Sequence, residues 1–154
     1  MNGMTPERAK TFLGIQIDHK LSACPETPNC VSSHEPKDSR GYVEPLHYHE
    51  DLGAAQEHLK SIVLSLPRAA LVEEKNGYLR FEFRTLLFRF VDDIEFLFDA
   101  ATKEIHVRSA SRVGYSDLGA NRRRVDVLRE QWLLGPHTRQ FLSSIPEVLA
   151  DWGS

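Results

Sequence analysis

Opposite charges lie close together in two segments of this chain, FRFVDDIEFLFD over residues 88–99 and IHVRSASRVGYSDLGANRRR over residues 105–124. The first carries Asp92, Asp93 and Glu95; the second carries Arg108, Ser109, Ser111 and Arg112, then Asp117, Asn121 and Arg124. A guanidinium fork binds a carboxylate or phosphate through two parallel hydrogen bonds, so Arg108, Arg112 and Arg124 could hold an anion. Asp93 and Glu95 would then orient those arginines, with Ser109, Ser111 and Asn121 adding polar contacts. The competing reading is structural. If the segments are antiparallel neighbours, each cross-strand charge pair stabilises by about 0.2 to 1 kcal/mol and serves only register and solubility. The acidic trio could also hold a hard cation such as calcium, but adjacent strand residues point to opposite faces and separate Asp92 from Asp93.

A second set of reactive side chains is Cys24, Cys30 and His34, followed by His47 and His49. In an oxidising compartment Cys24 and Cys30 could close a disulfide; in the cytoplasm two reduced thiols are the expectation. The C-x5-C-x3-H spacing is looser than that of structural zinc sites. Cys30, or Ser32 or Ser33 with His34 as base, could act as a nucleophile. That chemistry needs a third orienting group, and adjacency in sequence does not supply one. No catalytic residue, metal site or cofactor is assigned. The run Arg122 to Arg124 suggests nucleic acid, yet successive helical residues diverge by about 100° and cannot share one surface. Bridging to the acidic strand is the better use of these arginines.

Composition sets the outer limits. A chain of 154 residues with 41% hydrophobic content can build one core. A formal net charge of -3 gives no overall basic excess for nucleic acid or anionic membranes. No apolar run approaches the roughly 20 residues of a membrane-spanning helix. The first residues, MNGMTPERAKTFLGIQIDHK, lack the apolar core of an export signal, so a cytoplasmic location is the expectation.

The elements that would position these residues follow from periodicity. Residues 1–40 form an arm with a cysteine loop, residues 41–134 the core, and residues 135–154 a helical tail divided at Pro146, all within one domain. A short strand is expected from Tyr42 to Tyr48, with Pro45 at an edge or bulge. Leu52, Ala55, Leu59, Ile62, Val63 and Leu66 recur at helical spacing between Asp51 as cap and Pro67 as stop. LVEEK and YLRFEFR are joined by Asn76-Gly77, the dipeptide of a tight hairpin. Leu79, Phe81 and Phe83 face one way, and Arg80, Glu82 and Arg84 the other. The apolar phase then changes, which places a turn or bulge near Thr85. Ile94, Phe96 and Phe98 continue as a core face, as do Ile105, Val107, Ser109, Ser111 and Val113. A final helix runs from about Asp117 to Leu133 on Val125, Leu128 and Trp132, and Gly135-Pro136 breaks it. The order strand, helix, four strands, helix gives an α+β fold. In it an antiparallel sheet of about five strands carries two main helices on one face, and the other face is free to meet water.

At CPETPNCVSS, FVDDIEF and RSASRVGYSDLGANRRRV the chain resembles the family numbered 1499 among the domains of unknown function, over roughly residues 24–134. The resemblance implies no activity, substrate or catalytic residue. Similar proteins often carry export or lipoprotein signals, or plastid targeting in plants.

The leading expectation is a non-enzymatic module that binds a small anionic ligand or a protein partner on a charged sheet face. The alternative is a thiol-dependent enzyme or hydrolase centred on Cys30 and a histidine. Oligomeric state stays open.

Overall fold

A computed structural model describes residues 9, 12–87 and 90–143. The elements are β1 (Cys30–Ser32), β2 (Leu46–His47), α1 (Leu52–Leu64), β3 (Ala69–Lys75), β4 (Tyr78–Arg84), β5 (Val91–Asp99), β6 (Glu104–Ser111) and α2 (Ala120–Ser143). The order of strand, helix, four strands and helix holds, with β1 added inside the arm. The expected five strands are therefore six. They form an antiparallel sheet in the order β1-β6-β5-β4-β3, and β2 also pairs with β6.

Local chemistry accounts for the boundaries. Asp51 caps α1 by accepting a hydrogen bond from Ala54 N at 3.0 Å. Ala55, Leu59, Ile62 and Val63 then fall on one buried stripe, and Ser65 and Pro67 end the helix. Gly77 occupies the left-handed region at φ 81°, which lets β3 and β4 close in a tight turn. The turn near Thr85 lies between β4 and β5, closed by Thr85 N donating to Phe90 O and Phe90 N donating to Thr85 Oγ1. Leu86 is exposed in this turn instead of joining the core, and Phe88 lies outside the described residues. Gly135, at φ 73° and ψ 170°, interrupts α2 where the Gly135-Pro136 break is expected. The division at Pro146 lies outside the described residues.

The core fills the space between one sheet face and the helices. Leu79, Phe81 and Phe83 of β4, Ile94 and Phe96 of β5, and Ile105 and Val107 of β6 meet α1 and the Val125, Leu128 and Trp132 stripe of α2. Each such side chain contributes about 1.5 to 3 kcal/mol on burial. Trp132 Nε1 donates to His47 O at 2.8 Å and ties α2 to β2.

The second face of the sheet is not left to water. Residues 12–23 lie across it as a strap, and Tyr78, Glu95 and Arg108 beneath are buried. Gly14 N donates to Glu95 Oε1 at 2.7 Å, and Arg108 Nε donates to Ser22 O at 3.0 Å. A carboxylate and a guanidinium in mid-sheet would otherwise lose their hydration without replacement. Backbone groups of the strap supply part of that replacement.

Candidate functional site

Register brings the acidic and basic segments together. β5 and β6 pair with Glu95 opposite Arg108, Asp93 opposite Ala110 and Asp92 opposite Ser111. The period-two alternation of β5 sends Asp92 toward the helices, and Asp93 and Glu95 toward the strap. The charged residues therefore form two clusters, one on each side of the sheet.

On the helix side, Arg124 Nη2 donates to Asp92 Oδ2 at 2.8 Å, and the guanidinium stacks 4.8 Å from the centre of the Phe83 ring. Arg124 Nη1 also donates to Asn121 Oδ1 at 2.9 Å, which accepts from Ser109 Oγ at 2.6 Å. Asn121 Nδ2 donates to Asp117 Oδ2 at 2.7 Å and Ser111 Oγ at 3.0 Å, and lies 3.2 Å from Asn29 O. Asp117 caps the approach to α2 by accepting from Gly119 N and Asn121 N. Burial pushes the Asp92 carboxyl up from its ordinary value, against the pull of Arg124. Arg124, Ser109, Ser111 and Asn121 are thus committed to one another, joining the cysteine loop, β6 and α2.

On the strap side, Glu95 Oε1 accepts from Tyr78 Oη at 2.7 Å as well as from Gly14 N. Its Oε2 lies 3.6 Å from Arg108 Nη1 and has no hydrogen bond among the described residues. Burial raises the Glu95 carboxyl and lowers the Arg108 guanidinium from their ordinary values. Nearer solvent, Arg112 grips Asp93 in a fork, Nε to Oδ2 at 2.6 Å and Nη2 to Oδ1 at 2.8 Å, and also donates to Glu82. Asp93 Oδ1 accepts from Arg80 Nη1 at 3.3 Å as well. The hydrogen bonds it donates to Asp93 hold the Arg112 guanidinium above its ordinary value. Arg80, Glu82 and Arg112, with Glu73, Lys75 and the strap residues Leu13, Gly14 and Ile15, line a cleft of about 540 Å³.

Of the residues singled out from the sequence, Arg108, Arg112, Asp93 and Glu95 share the strap side; Arg124, Ser109, Ser111 and Asn121 occupy the helix side. Sequence reasoning placed Arg80 and Glu82 on the correct face of β4 but did not connect them with Arg112. Tyr78 and Gly14 carried no such signal.

The cysteine loop resolves differently. Cys24 and Cys30 form a disulfide with their Cα atoms 5.6 Å apart, so neither offers a thiolate to a substrate or a metal. Ser32 Oγ is buried and accepts from His34 N. Ser33 Oγ meets His106 Nδ1 at 3.0 Å instead of His34, while accepting from Val107 N at 2.9 Å. His34 stacks on His106 with ring centres 4.0 Å apart, and its Nδ1 accepts from Leu21 N at 3.1 Å. Among the described residues no group of three or more His, Cys, Asp or Glu side chains is placed to hold a metal ion. No helix among them is long and apolar enough to cross a membrane.

Comparison with curated proteins and with solved structures finds no match. The family model described as protein of unknown function, DUF1499, matches residues 20–132, a span that includes the disulfide loop, the whole six-stranded sheet and both arginine clusters, and the chain belongs to that family.

Proposed function

We propose that this chain is a non-enzymatic binding module whose ligand enters the cleft beneath the lip formed by Leu13, Gly14 and Ile15. The observation that carries the reading is that Arg80 and Arg112, in the wall of that cleft, converge on Asp93 buried behind it. Asp93 fixes the Arg112 plane by its fork, and Asp93 and Glu73 together hold that of Arg80, which lowers the ordering cost of binding. Arg112 Nη1 and Arg80 Nη2 make no hydrogen bond among the described residues, so donors remain for an incoming carboxylate or phosphate. Lys75, Arg80 and Arg112 are balanced by Glu73, Glu82 and Asp93. That balance suits a small ligand carrying an anionic group beside a hydrogen-bond donor, as an amino-acid zwitterion does, better than a bare polyanion.

Arg108 and Glu95 support the reading from below, because they anchor the strap that shapes the lip. Arg124, Ser109, Ser111 and Asn121 act from the opposite side by keeping β5 and β6 in register. The disulfide favours this module over a thiol-dependent enzyme, and an oxidising compartment over the cytoplasm. The strap, sheet and helices act as one domain in this proposal.

Titration of the full chain with glutamate and, separately, with inorganic phosphate tests it, read from the arginine side-chain Nε resonances. Arg80 and Arg112 should shift with glutamate, and Arg80→Gln should weaken that response by tenfold or more. Resonances that stay in place with both probes would remove the cleft as a site.

A further inference from the structure

One end of the sheet gathers apolar side chains that water would ordinarily exclude. Of the eleven large hydrophobics exposed among the described residues, six belong to it: Leu64, Leu86, Leu87, Phe90, Tyr115 and Leu118. The pairing explains why they meet there. β4 ends and β5 begins at this end, since Arg84 pairs with Val91. β6 finishes beside them, where Arg112 N donates to Val91 O. Leu64 closes α1 just before β3 sets out, and Leu118 precedes α2. Leu87 is 78% exposed and Leu118 85%, so both project beyond the surface instead of lining a groove. Isolated exposed leucines need no explanation, but a gathering at one pole does.

Charge at this pole has one dominant sign. Arg68, Arg84 and Arg123 are exposed in or beside the same turns. Among the described residues of 65–69, 85–87, 90 and 112–119 the one carboxylate is Asp117, which is occupied in capping the start of α2. Glu26 and Glu35 add two more at the β1 margin, beside Arg40 and Arg122. The opposite pole carries Glu50, Asp51, Asp99 and Glu104 against Lys75 and Lys103. Among the described residues the sheet therefore has a basic, apolar end and an acidic one, which the net charge of -3 conceals.

We infer that this pole docks on an anionic lipid surface, with Leu86, Leu87 and Leu118 entering the acyl boundary while Arg68, Arg84 and Arg123 meet lipid phosphates. Projecting leucines flanked by arginine suit the bilayer interface, where apolar tips leave water and guanidinium groups stay among headgroups. A protein partner would have to supply a pocket for each tip; a lipid surface needs none. The acidic pole would point away from the membrane, so the charge asymmetry also sets orientation.

Co-sedimentation of the full chain with vesicles tests this, comparing phosphatidylcholine alone with phosphatidylcholine containing phosphatidylglycerol. The chain should pellet with the anionic vesicles, weaken as salt rises, and stay in solution with the neutral ones. Leu86→Asp with Leu87→Asp should reduce anionic-vesicle binding at least tenfold. A parallel Leu87→Trp chain keeps the result independent of whether the aspartate variant folds. Its added fluorescence should shift to the blue on anionic vesicles. Failure of the native chain to pellet, equal binding to both vesicle types, or no spectral shift would overturn the inference. So would a self-associated native chain that the aspartate variant dissociates without any vesicle binding.

Discussion

Asp92 and Asp93 are neighbours in sequence and strangers in space: one carboxylate faces Arg124 beneath the helices, and the other faces Arg112 beneath the strap. Both are almost fully buried, at 3% and 2% exposure. Removing one partner of a buried pair leaves an uncompensated charge, which costs about 3 to 5 kcal/mol. Arg124→Met should therefore destabilise the fold by that order in urea unfolding. Asp92→Leu combined with Arg124→Met should recover most of the loss. Additive losses would show that the two side chains do not act as a pair.

Gln56 holds the β3–β4 turn from within α1. Its Nε2 donates to Lys75 O at 2.8 Å and its Oε1 accepts from Gly77 N at 2.8 Å. Gln56→Ala strands a donor and an acceptor, and should cost about 1 to 3 kcal/mol. Amide exchange at Gly77 should quicken in that variant while the amides paired between β5 and β6 stay protected. Uniform loss of protection would count against so local a role.

The His34 imidazole answers to acid. Burial first, and His106 second, lower it from 6.5 to about 4; Lys20 adds to the lowering, and Asp18 and Asp99 oppose it. A proton on Nδ1 would also displace the hydrogen bond from Leu21 N. As pH falls below 6.5 the unfolded chain takes up a proton that the folded chain refuses until about 4, so this group's contribution to stability falls across that window. Asp92 and Glu95 work in the opposite sense. Burial raises both, so their cost to the fold lessens as pH falls through their folded values. The His34 contribution is isolated by comparison with His34→Gln, which keeps an acceptor and does not titrate. The native chain should lose more stability than this variant between pH 6.5 and 4. Parallel curves would sink the assignment.

Cys24 and Cys30 close a short loop, for which chain entropy gives a stabilisation of about 2 kcal/mol. Cys24→Ser with Cys30→Ser should lower the melting temperature, and a reductant should bring the native chain down to the same value. The Asn29 carbonyl beside Asn121 ties this loop to α2, so the start of that helix should also lose exchange protection. A native melting temperature indifferent to reductant would contradict the bond's contribution.

What could be read in advance was local or periodic. Asn76-Gly77 announces its turn because only particular residues accept that backbone, and Ile94, Phe96 and Phe98 announce their face because strands alternate. The approach of Arg108 to Glu95 was legible for the same reason. The strap was not. It fastens itself through Gly14 N and Ser22 O, main-chain groups that every sequence possesses, so no side-chain pattern marks them. β1 was lost among Pro25, Pro28 and the cysteines because three residues are too few to show a period. The division of the polar cluster into two follows from strand alternation and was legible; that Asn121 and Arg124 join the Asp92 side was not, because their direction is set by how α2 docks on the sheet.

The strap has a consequence for biosynthesis. Gly14 binds a residue 81 positions later, and Ser22 one 86 positions later. The ribosome releases the strap before the strands it must cover. At about 5 to 20 residues per second, the nascent N-terminal stretch waits several seconds for β6 to emerge. Until then Glu95 lacks its counterion Arg108 and the strap lacks its anchor through Ser22 O, so closure of this face waits for β6.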